Sequence, residues 1–371
     1  MEFLIDIIVI LTASLILIIL MNHFRLPIII GLLIVGMIIG PYGLNLIKNT
    51  LLIDVLAELG IILLLFLLGL ELNPKELSML WGNTLIFSLC EISTSFILGL
   101  TSGLFLGWSF IEAFILGLIL SISSTAIIGK TIMNESKISE SKLIISILIV
   151  EDLFVVFLLF LMPGLVLREI KMLQFLFMSL KAAILIAIIF VVNKFLIPRI
   201  IDKICHYEIE IEEVGFLLAL TLCLTAAFLS KFLGFSSGLG AFLSGLFLVG
   251  KRARFIYEKL RSIKDLFIIL FFVSMGMLID FSFLKFGKAI LLIILASIAG
   301  KLLGFIAAGY IIGFKSKSYK MGLRMIPRGE FSFVIARTSI NLGLTSPMIF
   351  PITGSIVLVT SILDSLIKRF E

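Results

Sequence analysis

Long apolar runs, interrupted by short polar stretches, fill the chain from its first residues to its last. Marking the runs and their breakers predicts thirteen spans, at about 3–21, 26–40, 51–71, 84–107, 110–131, 138–161, 174–197, 212–231, 234–250, 265–279, 287–313, 319–342 and 347–367. A membrane-crossing helix needs about 20 apolar residues. Inside lipid each segment must satisfy its own backbone groups, so runs of this length are read as helices. The expected fold class is therefore an all-α polytopic membrane protein with 13 transmembrane helices, residues 1–371 forming a single membrane domain. Spans 1–6 (residues 3–161) and 8–13 (residues 212–367) show matching patterns, and residues 162–211 form a linker helix and loop. In each half the second span is short and glycine-rich. In each half the fifth span is broken at its centre, by Ser121-Ile122-Ser123-Ser124-Thr125 and by Pro327-Arg328-Gly329-Glu330. Six spans plus a linker set the second copy upside down relative to the first. Broken spans at matching positions of inverted repeats point to the binding site of a secondary transporter. The glycines of spans 2 and 9 are read as packing residues that bring helices together.

Composition narrows the classes further. The chain is 61% hydrophobic and only 15% charged, against about 25% charged in a soluble domain, and its mean hydropathy is +1.26. A soluble enzyme, a nucleic-acid binder and a disordered chain are poor readings, and membrane lipid is the expected surround. The net charge of +6 comes with basic residues in short loops and does not signal nucleic acid. Cys90, Cys205 and Cys223 do not cluster, and His23 and His206 lie far apart, so neither a disulfide scaffold nor a histidine metal centre is expected. The first run lacks a basic n-region and a cleavage site, so it reads as a membrane helix and not a removable signal. No nucleophile–base pair or phosphate loop supports an enzyme. The chain stops just after its last span, so a cytosolic regulatory subunit would be a separate polypeptide.

Lysine and arginine give an orientation. The loops after odd-numbered spans, with the C-terminus, hold 18 of them and the other face holds 6. The positive face is cytoplasmic. The N-terminus is then outside and the C-terminus inside, in the cell membrane.

Ionisable residues at mid-bilayer cost about 2.5–3.5 kcal/mol each on insertion scales and are functional by default. Glu151 and Asp152 are adjacent in span 6, Lys301 is halfway along span 11, and Arg328 and Glu330 flank the glycine of span 12. Ser123, Ser124 and Thr125 lie at matching depth in span 5. A carboxylate is both a hard oxygen ligand for Na⁺ or K⁺ and a proton acceptor. The two compete for it, and that competition is the minimal machinery of exchange. Asp152 is the primary alkali-cation and proton site, with Ser124, Thr125 and free carbonyls of the broken helix as neutral ligands. Glu151, about 100° around the same helix, either lines the cavity edge or pairs with Lys301. Lys301 is a candidate second proton carrier or compensating charge. Arg328 and Glu330 can neutralise the dipole ends of the half-helices. Glu58 and Glu112 reach the interface, and Glu91, with no matched partner, is read as structural. No resident cofactor is expected; Na⁺ or K⁺ and H⁺ are the transported species.

These residues carry a resemblance. The segments GLLIVGMIIGPYGLNLI (31–47), LAELGIILLLFLLGLEL (56–72), SISSTAIIGK (121–130), LIVEDLFVV (148–156), GFSSGLGAFLSGLFLVG (234–250), LFFVSMGMLID (270–280) and PRGEFSFVIA (327–336) follow in order. Together they resemble the second monovalent cation:proton antiporter family, of Kef-type and bacterial sodium/proton exchangers. The resemblance implies thirteen helices, two crossed discontinuous helices in a sodium/proton antiporter fold, a mobile core domain and a dimerisation domain, hence a homodimer. It also implies that Asp152 is the transport aspartate, Thr125 and its neighbours the broken-helix ligands, Lys301 the core lysine and Glu330 an accessory acid. One position departs from it: the sequence has Glu151-Asp152 where electrogenic sodium exchangers usually have two aspartates and potassium-efflux relatives a Gln-Asp pair. The reading is a secondary antiporter exchanging Na⁺, or K⁺ in the Kef-type alternative, for protons by alternating access with an elevator movement of the core. A ligand-gated K⁺ channel or sensor subunit is the reading from another class; no carbonyl-filter motif favours it.

Overall fold

The computed structural model describes residues 2–24, 26–71, 82–125, 127–128, 138–165, 172–197, 199–200, 212–248, 251–281 and 287–370. All regular structure among them is helical. The helices are α1 (Glu2–His23), α2 (Ile28–Ile39), α3 (Thr50–Glu71), α4 (Asn83–Phe105), α5 (Phe110–Ser121), α6 (Ile138–Leu165), α7 (Met172–Val191), α8 (Glu212–Phe232), α9 (Ser237–Leu246), α10 (Lys251–Met277), α11 (Gly287–Ile312), α12 (Lys315–Arg324), α13 (Glu330–Asn341) and α14 (Ile349–Phe370). A π-helical turn, Val192–Leu196, extends α7. Among the described residues eight helices are long and apolar enough to cross a membrane by length and composition. The chain is a multi-pass membrane protein.

Shorter apolar helices occur where the sequence breaks them. α2 has 12 residues and α9 has 10, about 18 and 15 Å of helix against a hydrocarbon core of about 30 Å. Span 9, expected over 234–250, is cut back because Gly234 turns the chain at φ +92° and the Ser236 hydroxyl caps the helix at the Leu239 N–H. One expectation is corrected. The basic stretch 251–264, read as a loop, is helical and continuous with span 10 in α10. Ile256 and Leu260, one turn apart, are buried in an apolar core, and Arg254 pairs with Glu258 at 3.0 Å one turn on, so burial and a local ion pair hold the helix through its charges.

The helices fall into two compact units, each drawing on both halves of the chain: Met1–Ile53, Met79–Val155 and Phe272–Glu371 in one, Asp54–Ser78 and Val156–Phe271 in the other. In the second unit Phe66, Leu70, Leu222, Cys223, Ala241, Ile256 and Leu260 form the core. Asn193 of the π-helical turn donates to the Ser244 carbonyl at 3.2 Å. Glu58, expected to reach the interface, accepts from Lys231 at 2.6 Å and from the Ser237 hydroxyl at 2.8 Å, partly exposed.

The first unit holds the broken spans. α4 and α11 pack backbone to backbone because Gly300 and Gly304 present no side chain. A Cβ at Gly300 would stand 2.7 Å from the Ser95 Cα, and one at Gly304 would collide with the Glu91 Cα. The Thr94 hydroxyl seals the contact by donating to the Gly300 carbonyl at 2.8 Å. α4 then turns at Gly107 (φ +78°) into α5, which starts with a capping box of Ser109 and Glu112. Gly304→Ala is expected to lower stability by about 1–3 kcal/mol through overpacking. Gly287→Ala, which meets nothing within 4 Å, should leave stability nearly unchanged. Thermal unfolding of the two variants in detergent, compared with the parent, checks the contrast.

Candidate functional site: two helix interruptions in contact

α5 ends at Ser121, and the backbone runs extended through Ile122 (φ −108°, ψ 129°) before helix resumes at Thr125. α12 ends at Arg324, and α13 begins only at Glu330, after extended Gly329 (φ −146°, ψ −151°). The physical cause is local: Pro327 has no N–H and disfavours helix in the residue before it, and the Ser-rich stretch offers side-chain partners that compete with the helix ladder.

The two interruptions touch. The Ser124 N–H donates to the Pro327 carbonyl at 2.8 Å, and a Cβ on Gly329 would lie 2.6 Å from the Ser124 Cβ. Only glycine allows that approach. The Ser123 hydroxyl reaches the Met325 carbonyl at 3.0 Å, and the Ser124 hydroxyl reaches Glu330 Oε2 at 3.3 Å. The Ser124 hydroxyl also accepts the Ile127 N–H at 3.3 Å, capping the resumed helix.

Charges gather on the freed helix ends. Lys301 of α11 donates from Nζ to the Ser121 carbonyl at 2.6 Å, the last one of α5, to Glu151 Oε1 of α6 at 2.9 Å, and to Glu91 Oε2 of α4. Lys301, Glu91 and Glu151 all have 0% exposure. Glu151 also accepts from the Ser123 N–H through Oε2 and from the Ser123 hydroxyl at 3.1 Å through Oε1. Arg328, fully buried, donates from its two terminal nitrogens to the carbonyls of Ile326 at 2.9 Å, Met325 at 3.3 Å and Ser297 at 2.9 Å. Its own N–H is held by the Thr360 hydroxyl of α14 at 3.1 Å. Lys301 thus meets the C-terminal carbonyl of α5 and Arg328 the carbonyls just past the end of α12, both at negative dipole ends. Glu330 opens α13, at the positive end. Asp152, 1% exposed, takes the Thr125 hydroxyl against both carboxylate oxygens, at 3.0 and 3.2 Å.

A family model described as sodium/hydrogen exchanger, transmembrane, matches residues 10–369. The chain belongs to the sodium/hydrogen exchanger family. It is 29% identical over 348 residues to the Na⁺/H⁺–K⁺ antiporter GerN of Bacillus cereus, covering 91% of this chain and 88% of that protein. It is 28% identical over 363 residues to the K⁺/H⁺ antiporter subunit KhtU of Bacillus subtilis, covering 94% and 88%. The solved structure of the sodium proton antiporter MjNhaP1 from Methanocaldococcus jannaschii superposes with a TM-score of 0.69 at 19% identity, covering 99% of this chain and 96% of that one. This exchanger-family chain thus has the fold of that antiporter.

All seven residues singled out as the site lie in the first unit, around the two interruptions: Ser124, Thr125, Glu151, Asp152, Lys301, Arg328 and Glu330. Of the two alternatives for Glu151, the structure shows the pairing with Lys301. Sequence reasoning undervalued Glu91, read as lacking a partner; it is a direct partner of Lys301. The available signal was Gly300-Lys301-Leu302-Leu303-Gly304, a small-xxx-small pattern that brings a neighbouring helix to the level of the lysine. Glu112 lies at its helix start, where its Oε1 accepts the Ser346 N–H at 3.1 Å. Arg328→Lys is expected to destabilise the chain. A single ammonium cannot span the carbonyls of Ser297 and Ile326 as the guanidinium fork does. Loss of Tm and of a monodisperse peak in detergent chromatography reads the effect.

Proposed function

We propose that the chain is a secondary active antiporter that exchanges a monovalent cation, Na⁺ first and K⁺ as the alternative, for protons by alternating access. The observation that carries this reading is Asp152: a carboxylate withdrawn from water, with the Thr125 hydroxyl against both its oxygens, beside two helix interruptions that touch. Asp152 and Thr125 supply hard oxygen ligands to an alkali cation. A proton on Asp152 competes with that cation for the same oxygens, so loading one releases the other. Glu151 is engaged by Ser123 and Lys301 and acts as the counter-charge of the lysine. Lys301, Arg328 and Glu330 compensate charge at the helix ends. The Ser124 hydroxyl and the freed carbonyls complete the donor set.

The same reading extends to the arrangement in the cell. Thirteen spans in two inverted six-helix repeats with crossed discontinuous helices, a homodimer, a cytoplasmic C-terminus and an outside N-terminus in the cell membrane are part of it, supported by the loop charges and the matching broken spans. A role in pH homeostasis follows from the exchanged ions. A separate cytosolic regulatory partner belongs to the reading too; KhtU is by name an antiporter subunit. The names of the relatives support both Na⁺ and K⁺ as cargo.

In everted vesicles, added Na⁺ or K⁺ is expected to collapse an imposed pH gradient. Asp152→Asn should abolish this at every cation concentration; full activity in that variant rejects the site. Thr125→Val, which removes one hydrogen bond worth about 1–1.5 kcal/mol, should raise the half-saturating cation concentration about tenfold with the maximal rate little changed.

A further inference from the structure

We propose that the second interruption holds a buried water molecule, bound between Arg328 Nε and the Ser297 hydroxyl of α11. The site needs no transported ion and stands independently of the exchange reading.

Arg328 is fully buried, and a guanidinium carries five N–H donors. Nη1 donates to the carbonyls of Met325 and Ile326, and Nη2 donates to the Ser297 carbonyl. Nε has no partner. Among the described residues every side-chain bond of Arg328 thus runs to a carbonyl and none to a carboxylate. A charged donor left unpaired in the interior bears the full desolvation cost of its N–H. In folded proteins such groups are answered by an ordered water or a bound ligand.

A second orphan lies beside the first. Ser297 has 0% exposure, and its Oγ also lacks a partner. An existing bond brings the two together: Nη2 holds the carbonyl of that same serine at 2.9 Å. Nε lies on the same edge of the planar guanidinium as Nη2. One water answers both, accepting from the Nε N–H and bonding to the Ser297 hydroxyl. Two such bonds are within the usual range for a buried water. The Ser95 hydroxyl of α4, buried and unpartnered as well, faces Gly300 one turn along α11, so unpaired polar atoms concentrate on this stretch of the helix. Small residues flank both members of the site in the chain: Ala296, Ala299 and Gly300 on α11, and Gly329 after Arg328.

Water suits the site better than an anion does. Three carbonyl oxygens already crowd the guanidinium, two of them just past the negative end of α12. An anion would be repelled by those oxygens, whereas a water turns its hydrogens toward them. The water completes the shell of a full charge without committing a carboxylate to it. It also ties the segment between α12 and α13 to α11 through a side chain, in addition to the carbonyl contact.

The test is a cryo-EM map of the full chain in lipid nanodiscs, at a resolution that shows ordered water. Density for a single atom within hydrogen-bond reach of both Arg328 Nε and Ser297 Oγ is expected. No density there, or the Ser297 hydroxyl turned directly onto Nε, overturns the site. Thermal unfolding gives a second measurement. Ser297→Ala takes a partner from the water and should lower Tm by about 2–4 °C. An unchanged or higher Tm, the result of removing a hydroxyl that had no partner, overturns the proposal. A wild-type Tm that climbs when chloride or bromide replaces gluconate shows an anion in the site and overturns the water.

Discussion

Lys301 carries an ammonium group into a region closed to water, and the first unit is arranged around satisfying it. Stripping such a charge of water costs several kcal/mol even after relaxation. That cost is offset by two carboxylates and by a helix carbonyl that would otherwise have no partner. The ammonium and the interrupted helix thus answer each other's need. A break in a membrane helix frees backbone groups that lipid cannot hydrate, and a cation on the exposed carbonyl end satisfies them. Arg328 repeats the solution at the second interruption, where its guanidinium takes the freed carbonyls of Met325 and Ile326 and also reaches the Ser297 carbonyl of α11. Glu330, at the start of α13, meets the opposite dipole end.

Two neighbouring acids have different surroundings. Glu151 and Asp152 project about 100° apart, and the structure gives them different company. Glu151 accepts from the Ser123 N–H and hydroxyl and from the Lys301 ammonium, which hold it in place. Asp152 faces the Thr125 hydroxyl at the point where helix resumes. One carboxylate is a member of an ion-paired cluster, and the other is bridged by the Thr125 hydroxyl through both its oxygens.

Small residues set how closely these groups can meet. Gly329 lets the second interruption lie on Ser124, and Gly300 and Gly304 bring α4 onto α11 at the level of Lys301. Without those approaches the hydroxyls and carboxylates would stand apart, and each charge would be buried alone. The same economy explains why α10 runs helical through its basic start. Ile256 and Leu260 are buried in a core that the charged residues around them do not disturb.

Apolar runs and their breakers were enough to locate apolar helices and to mark spans 5 and 12 as broken, and ionisable residues inside those runs singled out Glu151, Asp152, Lys301, Arg328 and Glu330. The reason is that lipid tolerates charges and helix breakers only where something compensates them, so each stands out against an apolar background. The second carboxylate partner of Lys301 did not stand out. Glu91 is 210 residues away along the chain, and only the packing of two helices brings it to the lysine. The helical start of α10 was equally hidden, because polar residues read as loop until a neighbouring surface buries the apolar ones among them. Sequence shows which groups need a counter-charge; which group supplies it is a question of distance between helices, and that is settled only when glycines let their backbones meet.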